Sequence, residues 1–247
     1  MRIEAKLAAA KMTRRRWIAD EVSAHHAALT GAHADHLIRA LRARVGQEFD
    51  IVAGKAVRRG RISHIADGRV EFELGEEVAS DTAAARLVLL LAIFKFDRME
   101  WAIEKATELG VVRIIPIIAR RTDSHLTSAA VKRVERWRRI ALQASEQSRR
   151  AAPPEVSVAV KLKQLAEPAG GLRVVLAESG ENLRLRDVVE SGSSRLALAI
   201  GPEGGWTPEE TQWFHDSGWR AASLGDTILR AETAAIVATA LALDALR

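Results

Sequence analysis

Arg230 and Glu232 stand two residues apart, between a glycine-containing turn, LGDT (Leu224–Thr227), and an alanine-rich segment that reads as a helix. A guanidinium and a carboxylate at a ligand edge can stabilise developing negative charge or move a proton. The same pair can equally be a structural ion pair at a helix start. A second stretch, AIGPEGGWTPEE (Ala199–Glu210), ends an apolar run in three glycines and a proline and then reads as a helix start from Thr207-Pro208. A third, LAESG (Leu176–Gly180), also ends an apolar run near a glycine. Glycine tolerates positive φ and lets a ligand lie against main-chain N–H and C=O groups. One such loop is an ordinary strand-to-helix turn; three at one sheet edge can wall a pocket that reads its ligand through backbone. The nucleotide motifs G-x-x-x-x-G-K-[ST] and G-x-G-x-x-G and the hydrolase elbow G-x-S-x-G are absent. His25, His26, His33 and His36 cluster in sequence but lack a supporting carboxylate pattern, so no metal site is expected.

The elements that must position these loops change character along the chain. Up to Glu77 the signals are short and β-like: Arg16–Ile18, Glu48–Gly54 and the alternating GRVEFELG (Gly68–Gly75), interrupted by one amphipathic helix over His33–Arg42. That pattern predicts a small β-barrel with one helix. The polar, small-residue stretch Gly75–Ala85 marks a boundary, giving domains 1–80 and 81–247. Beyond it, continuous apolar runs alternate with helical patterns. Arg86–Phe94, Val111–Ile118, Leu172–Glu178, Arg195–Gly201 and Arg220–Gly225 read as strands covered on both faces. Asp97–Gly110, with Asp97 as N-cap and Gly110 as stop, a basic stretch from Ser128 to Arg149, and Ala231–Leu246 read as helices. This is the pattern of a mostly parallel sheet with helices on both faces, in which ligands bind beyond the carboxyl ends of the strands.

Bulk composition narrows the function classes. Hydrophobic residues make up 48% of the 247, enough for a sizeable core. With no cysteine, disulfide frameworks, thiolate metal sites and cysteine nucleophiles are excluded. No apolar run reaches membrane-span length and no secretory signal is evident, so a cytoplasmic protein is expected. The net charge of +5 is uneven: residues 1–61 hold 13 Lys/Arg against 6 Asp/Glu, whereas the rest hold 24 against 26. The asymmetry points to a polyanionic partner met mainly by the N-terminal part. Arg14, Arg15, Arg16, Arg39, Arg42, Arg58, Arg59 and Arg61 are its proposed phosphate contacts; each alone could be a solvated surface charge. Lys132, Arg133, Arg136, Arg138 and Arg139 form a second basic run. Trp17 and Trp206 stand where stacking on a base is conceivable.

Four ordered motifs carry a family resemblance: KATELGV with IIP (Lys105–Val111, Ile114–Pro116), EQSRR followed by Pro154, IGPEGG followed by Glu209 or Glu210, and LGDTILRAETA (Leu224–Ala234). From Arg14 onward the chain resembles the RsmE family of 16S rRNA uracil-N3 methyltransferases, in the SPOUT superfamily. The resemblance implies a PUA-like β-barrel followed by an α/β domain with a deep trefoil knot. It implies S-adenosylmethionine as cofactor, a homodimer, and 16S rRNA of the 30S subunit as substrate, at uridine 1498 in standard rRNA numbering. Carried onto this sequence, the cofactor wall comprises Leu176, Ala177, Glu178, Ile200, Gly201, Pro202, Glu203, Gly204, Gly205, Leu224, Gly225, Ile228 and Leu229. Glu146, Gln147, Ser148 and Arg150 become site-proximal, with Arg150 a further RNA contact. Arg230 is the cation for charge developing on uracil, and Glu232 its orienting partner or the base. Two departures stand out: Met1–Lys11 reads either as an extension or as sequence upstream of a start at Met12, and GKAVRRGRI (Gly54–Ile62) replaces a glycine- and aromatic-rich hairpin. A non-catalytic assembly factor of the same fold, or a SPOUT enzyme acting on another RNA position, are the alternatives.

Overall fold

In the computed structural model, residues 16–54, 56–78, 86–165, 171–177, 183–189 and 195–246 are described. The expectations for Met1–Lys11, Arg14, Arg15 and Glu178 lie outside them. The chain divides into two compact units, Met1–Thr82 with Ser145–Ala152, and Ala83–Ala144 with Pro153–Arg247.

The first unit is built on a six-stranded sheet of β1 (Arg16–Ile18), β2 (Glu21–Val22), β3 (His26–Thr30), β4 (Glu48–Ala53), β5 (Ala56–Ala66) and β6 (Arg69–Glu77). Their order is β1-β4-β5-β6-β3-β2. β1 pairs parallel to β4, and the other neighbours are antiparallel. The long β5–β6 hairpin turns at Asp67-Gly68, both at positive φ (42° and 73°), the backbone that two-residue hairpin turns favour. The expected helix is shorter and less regular: α1 (Gly31–Asp35) runs on into a π-helical turn, His36–Ala40. Trp17, Leu29, Leu37, Ile51, Ile62 and Phe72 close the core. Trp17 is therefore a core residue, 1% exposed, rather than a stacking platform.

The second unit is a parallel α/β layer structure. Its strands are β7 (Arg86–Ala92), β8 (Arg113–Ile118), β9 (Glu155–Val156), β10 (Val160–Lys161), β11 (Leu172–Leu176), β12 (Leu183–Arg184), β13 (Arg195–Ile200) and β14 (Arg220–Ser223). The order is β10-β8-β7-β13-β11-β14-β12, with β9 beside β8, and every described pair is parallel. Pro116 sits mid-strand in β8 because the neighbouring edge breaks there: β9 ends opposite Ile114 and β10 begins opposite Ile117.

The helices are α2 (Phe96–Leu109), α3 (Ser124–Gln147), α4 (Leu185–Val188), α5 (Pro208–Asp216) and α6 (Ala231–Ala245). Period-2 alternation divides each central strand between two apolar layers. Leu87, Leu89, Leu91, Leu196, Leu198 and Ile200 meet α2, α3 and α6; Leu90, Ala197 and Ala199 meet Phe214 of α5 and Trp219. α2 is capped two residues earlier than the sequence suggests. Lys95 is its N-cap and Asp97 lies in the first turn, where a carboxylate still complements the helix dipole. Left-handed Gly110 (φ 119°) ends it as expected. Among the described residues no helix is long and apolar enough to cross a membrane.

Candidate active site

β13, β11 and β14 are adjacent in the sheet and parallel, so their carboxyl ends, Ile200, Leu176 and Ser223, open on one edge. These three strand ends thus converge although 24 and 23 residues of sequence separate them. They enclose a cavity of about 650 Å³, within the usual range for a small-molecule site. Every cofactor-wall residue expected from the sequence, other than Glu178, lines it. So do Arg230, Lys95, Arg98, Arg121 and Trp206.

The wall is held by side chain-to-backbone bonds. The Trp206 indole N–H donates to the Leu176 carbonyl (3.2 Å), tying the β13 loop to the end of β11, while its ring packs edge-on against Phe214 at 4.9 Å between centroids. A Cβ on Gly201 would stand 3.2 Å from that indole nitrogen. Gly205 (φ 69°) and Gly225 (φ 139°) occupy backbone that side chains rarely adopt, and a Cβ on Gly225 would reach 2.5 Å from Arg184 Nη1. Thr207 then starts α5 with a closed capping box: its hydroxyl accepts from Glu210 N (3.3 Å), and Glu210 Oε2 accepts from Thr207 N (2.9 Å). Apolar Leu176, Ile200, Leu224, Ile228 and Leu229 surround exposed main chain, a lining suited to a flat heteroaromatic ring with polar edges. The residues present fit S-adenosylmethionine: apolar surface for the adenine and main chain for its polar edge, on loops whose glycines leave the Trp206 and Arg184 side chains in place.

The charged groups are arranged differently from the sequence expectation. Arg230 is the N-cap of α6, exposed, and its side chain makes no hydrogen bond or ion pair with the described residues. Glu232 does not orient it. The Glu232 carboxylate, 6% exposed, lies 3.6 Å from Arg98 Nε, and its Oε2 is buried without a hydrogen-bond partner. Arg98 also donates to Glu203 (3.2 Å), so one guanidinium bridges the β13 loop and the first turn of α6. Lys95 and Arg98 follow β7 and Arg121 follows β8; none of the three carries a local sequence signal that separates it from an ordinary surface cation.

The proposed RNA contacts of the first unit divide into engaged and available groups. Arg58 donates to the carbonyls of Ala24, Leu74 and Gly75, and Arg59 is paired with Asp50 at 2.6 Å, so both serve the sheet instead of facing a ligand freely. Arg16 donates to the Arg149 carbonyl, and burial pulls its guanidinium below the ordinary range. Arg150 is half-buried and burial pushes its guanidinium down to about 10. Glu146 is buried, and His33 stands between it (3.8 Å) and Asp20 (3.1 Å). Arg39 is largely exposed beside Asp35, and Arg42 and Arg61 are exposed with no described partner. In the second basic run, Arg133 and Arg136 both bind Glu100, and Arg138 binds Glu135 and the Val156 carbonyl. Among the described residues no group of three His, Cys, Asp or Glu is placed to hold a metal.

A parallel α/β unit with a backbone-walled cavity at its strand ends defines a class, the open α/β proteins that bind a small-molecule ligand beyond the carboxyl ends of their strands. The chain belongs to the RNA methyltransferase family, whose domain model matches residues 81–243, and within it to the group of ribosomal RNA small subunit methyltransferase E proteins. The Rickettsia conorii member of that group is 32% identical over 183 residues, 73% of each chain. The Synechocystis member is 32% identical over 218 residues, 86% of this chain and 71% of its own. The Neisseria gonorrhoeae methyltransferase E, bound to S-adenosyl methionine, superposes with a TM-score of 0.82 at 29% identity, covering 92% of this chain and 95% of its own. A Legionella pneumophila structure with the same cofactor gives 0.79, also at 29%, over 92% and 94%.

Proposed function

We propose that this protein transfers a methyl group from S-adenosylmethionine to N3 of one uridine in 16S rRNA of the small ribosomal subunit. S-adenosylmethionine-dependent rRNA methylation follows from the family and from the relatives with that cofactor bound. The uridine, its N3 position and the 30S context rest on the motif resemblance. The observation that carries the reading is the preformed cavity at the ends of β11, β13 and β14, walled by the motif residues themselves.

The cofactor supplies an electrophilic methyl on a sulfonium. What remains for the protein is to orient an uracil, help N3 lose its proton, and stabilise charge spreading to O2 and O4. Arg230, at the cavity rim and without a competing partner, is the cation for that charge. Glu232, with one buried oxygen lacking a donor, is the acceptor for a proton or the anchor of Arg98. The first unit docks rRNA through Arg39, Arg42 and Arg61, with Arg14 and Arg15 as further candidates. We also infer the PUA-like barrel character of the first unit, the trefoil knot of the second, and a homodimer. Trp101 on α2 and Val237 and Leu241 on the adjoining α6 are exposed apolar residues that support the last. The test is nucleoside mass spectrometry of 16S rRNA with and without the gene. The expected result is loss of a single 3-methyluridine on deletion and its restoration by purified protein with S-adenosylmethionine. An unchanged mark, with no second enzyme to account for it, overturns the assignment.

A further inference from the structure

Among the described residues four cations line the cavity, and their surroundings differ. Lys95 caps α2 without a side-chain bond, Arg98 is neutralised between Glu203 and Glu232, and Arg230 is unattached. Among these four, Arg121 is the one fixed by the main chain of the ligand-binding loop: its Nη1 donates to the Gly204 carbonyl at 2.6 Å and lies 3.3 Å from the Trp206 carbonyl. It reaches there from the turn after β8, which is separated from β13 in the sheet by β7. The turn is itself anchored. Glu210, 6% exposed, uses its second oxygen, Oε1, to accept from Arg120 N at 2.8 Å, and Thr122 Oγ1 accepts from Ala119 N at 3.1 Å. The glycine loop is thus braced from two sides, by Arg121 and Glu210 toward β8 and by the Trp206 indole toward Leu176 of β11.

We propose that Arg121 is a positioning residue of the cofactor site, holding the Gly204–Trp206 backbone in the conformation that receives S-adenosylmethionine. This rests on the functional reading above. A loop with three glycines in five residues has large conformational freedom, so its binding geometry must be imposed from outside. Two carbonyls gripped by one guanidinium supply that restraint with charge-assisted bonds. The same bonds fix which way the peptide planes face, and hence which main-chain groups remain for the ligand. Because the guanidinium is exposed, its removal leaves no buried unpaired charge and little effect on folding is expected.

The experiment compares wild type, Arg121→Ala, Arg121→Lys and Trp206→Phe by calorimetric titration with S-adenosylmethionine, alongside melting temperature and steady-state kinetics. Arg121→Ala is expected to weaken cofactor binding about tenfold or more and to raise KM for cofactor while kcat at saturation changes little. Arg121→Lys, with a single-point donor that reaches one carbonyl, is expected to recover part of the loss. Trp206→Phe keeps the ring against Phe214 but removes the bond to Leu176, and is expected to weaken binding independently. Cofactor affinity in Arg121→Ala within about twofold of wild type overturns the proposal. So does a defect confined to RNA affinity or its salt dependence, which would make Arg121 an RNA contact. Wild-type protein that fails to bind S-adenosylmethionine overturns the functional reading itself, and this inference with it.

Discussion

The separation of Arg230 from Glu232 is the residue-level result with the sharpest consequences. Two residues that act as a unit give non-additive mutational effects, and independent ones multiply. Since Glu232 faces Arg98 and Arg230 faces the cavity without a partner, Arg230→Lys and Glu232→Gln are expected to multiply in single-turnover rate. Arg98→Ala and Glu232→Gln are expected to fall well short of multiplying. Arg230→Lys alone should slow the chemical step by ~100-fold or more at saturating cofactor and RNA, the scale of losing an oriented donor at a charged transition state. A near-wild-type rate returns Arg230 to an ordinary helix-start residue, and non-additivity between Arg230 and Glu232 would show that they pair once substrate binds. Gly201 gives a second test at this scale. Valine there would press on the Trp206 indole at 3.2 Å, so Gly201→Val should lose both the Trp206–Leu176 bond and cofactor affinity, read by calorimetry on protein whose fold is checked by circular dichroism.

At the level of elements, the cap of α5 joins folding to the site. Thr207→Ala removes one capping bond and should cost about 1 kcal/mol. Glu210→Ala should cost more, about 2–3 kcal/mol, because it strips acceptors from two main-chain N–H groups, Thr207 and Arg120. Chemical denaturation of both variants checks the order; equal losses would mean that the Arg120 link carries no energy. The cap was legible in sequence because Thr-Pro-Glu-Glu is a local signal. So were β7, β8, β11, β13, β14 and α6, whose apolar runs or helical periods are uninterrupted. The eleven-residue β5 was not. Its register shifts between Arg58 and Gly60 and again between Ile62 and His64, which breaks the alternation by which a strand is recognised, and its arginines read as ligand contacts. The short strands β2, β9, β10 and β12 exist only because a partner strand is present, so no local pattern marks them. The glycine half of the cavity wall was readable from strand ends. The cationic half, Lys95, Arg98 and Arg121, was not, since nothing local distinguishes a lysine or arginine after a strand from any surface charge.

For the whole molecule, charge and exposed apolar surface make separate predictions, one for each unit. The excess of positive charge in residues 1–61 should appear as salt-dependent rRNA binding, each phosphate contact contributing roughly 0.7–0.9 to the slope of log K against log salt. Replacing exposed Arg39, Arg42 and Arg61 with alanine should flatten that slope, whereas Arg58→Ala and Arg59→Ala should act mainly on stability, because those side chains hold Ala24, Leu74, Gly75 and Asp50. The reverse pattern would place the RNA path elsewhere. The second unit exposes Trp101 (49%), Val237 (37%) and Leu241 (44%) on helices that pack against each other. Large apolar side chains grouped on adjoining helices favour burial against a like surface, and a two-fold partner presents the same patch. α6 begins at the cavity with Ala231 and Ala234 and carries Val237 and Leu241 further along, so a partner that stiffens it also steadies the wall. Wild-type protein is therefore expected to scatter light as twice its 27.0 kDa mass at micromolar concentration. Leu241→Glu combined with Trp101→Glu should shift it to monomer without unfolding, since both positions are solvent-facing in the single chain. By linkage, the monomeric variant should bind S-adenosylmethionine more weakly, and wild-type affinity should fall on dilution through the dimer dissociation range. Monomeric wild-type protein would rule out this interface. A monomeric variant with undiminished cofactor affinity would show instead that α6 holds the cavity wall by itself.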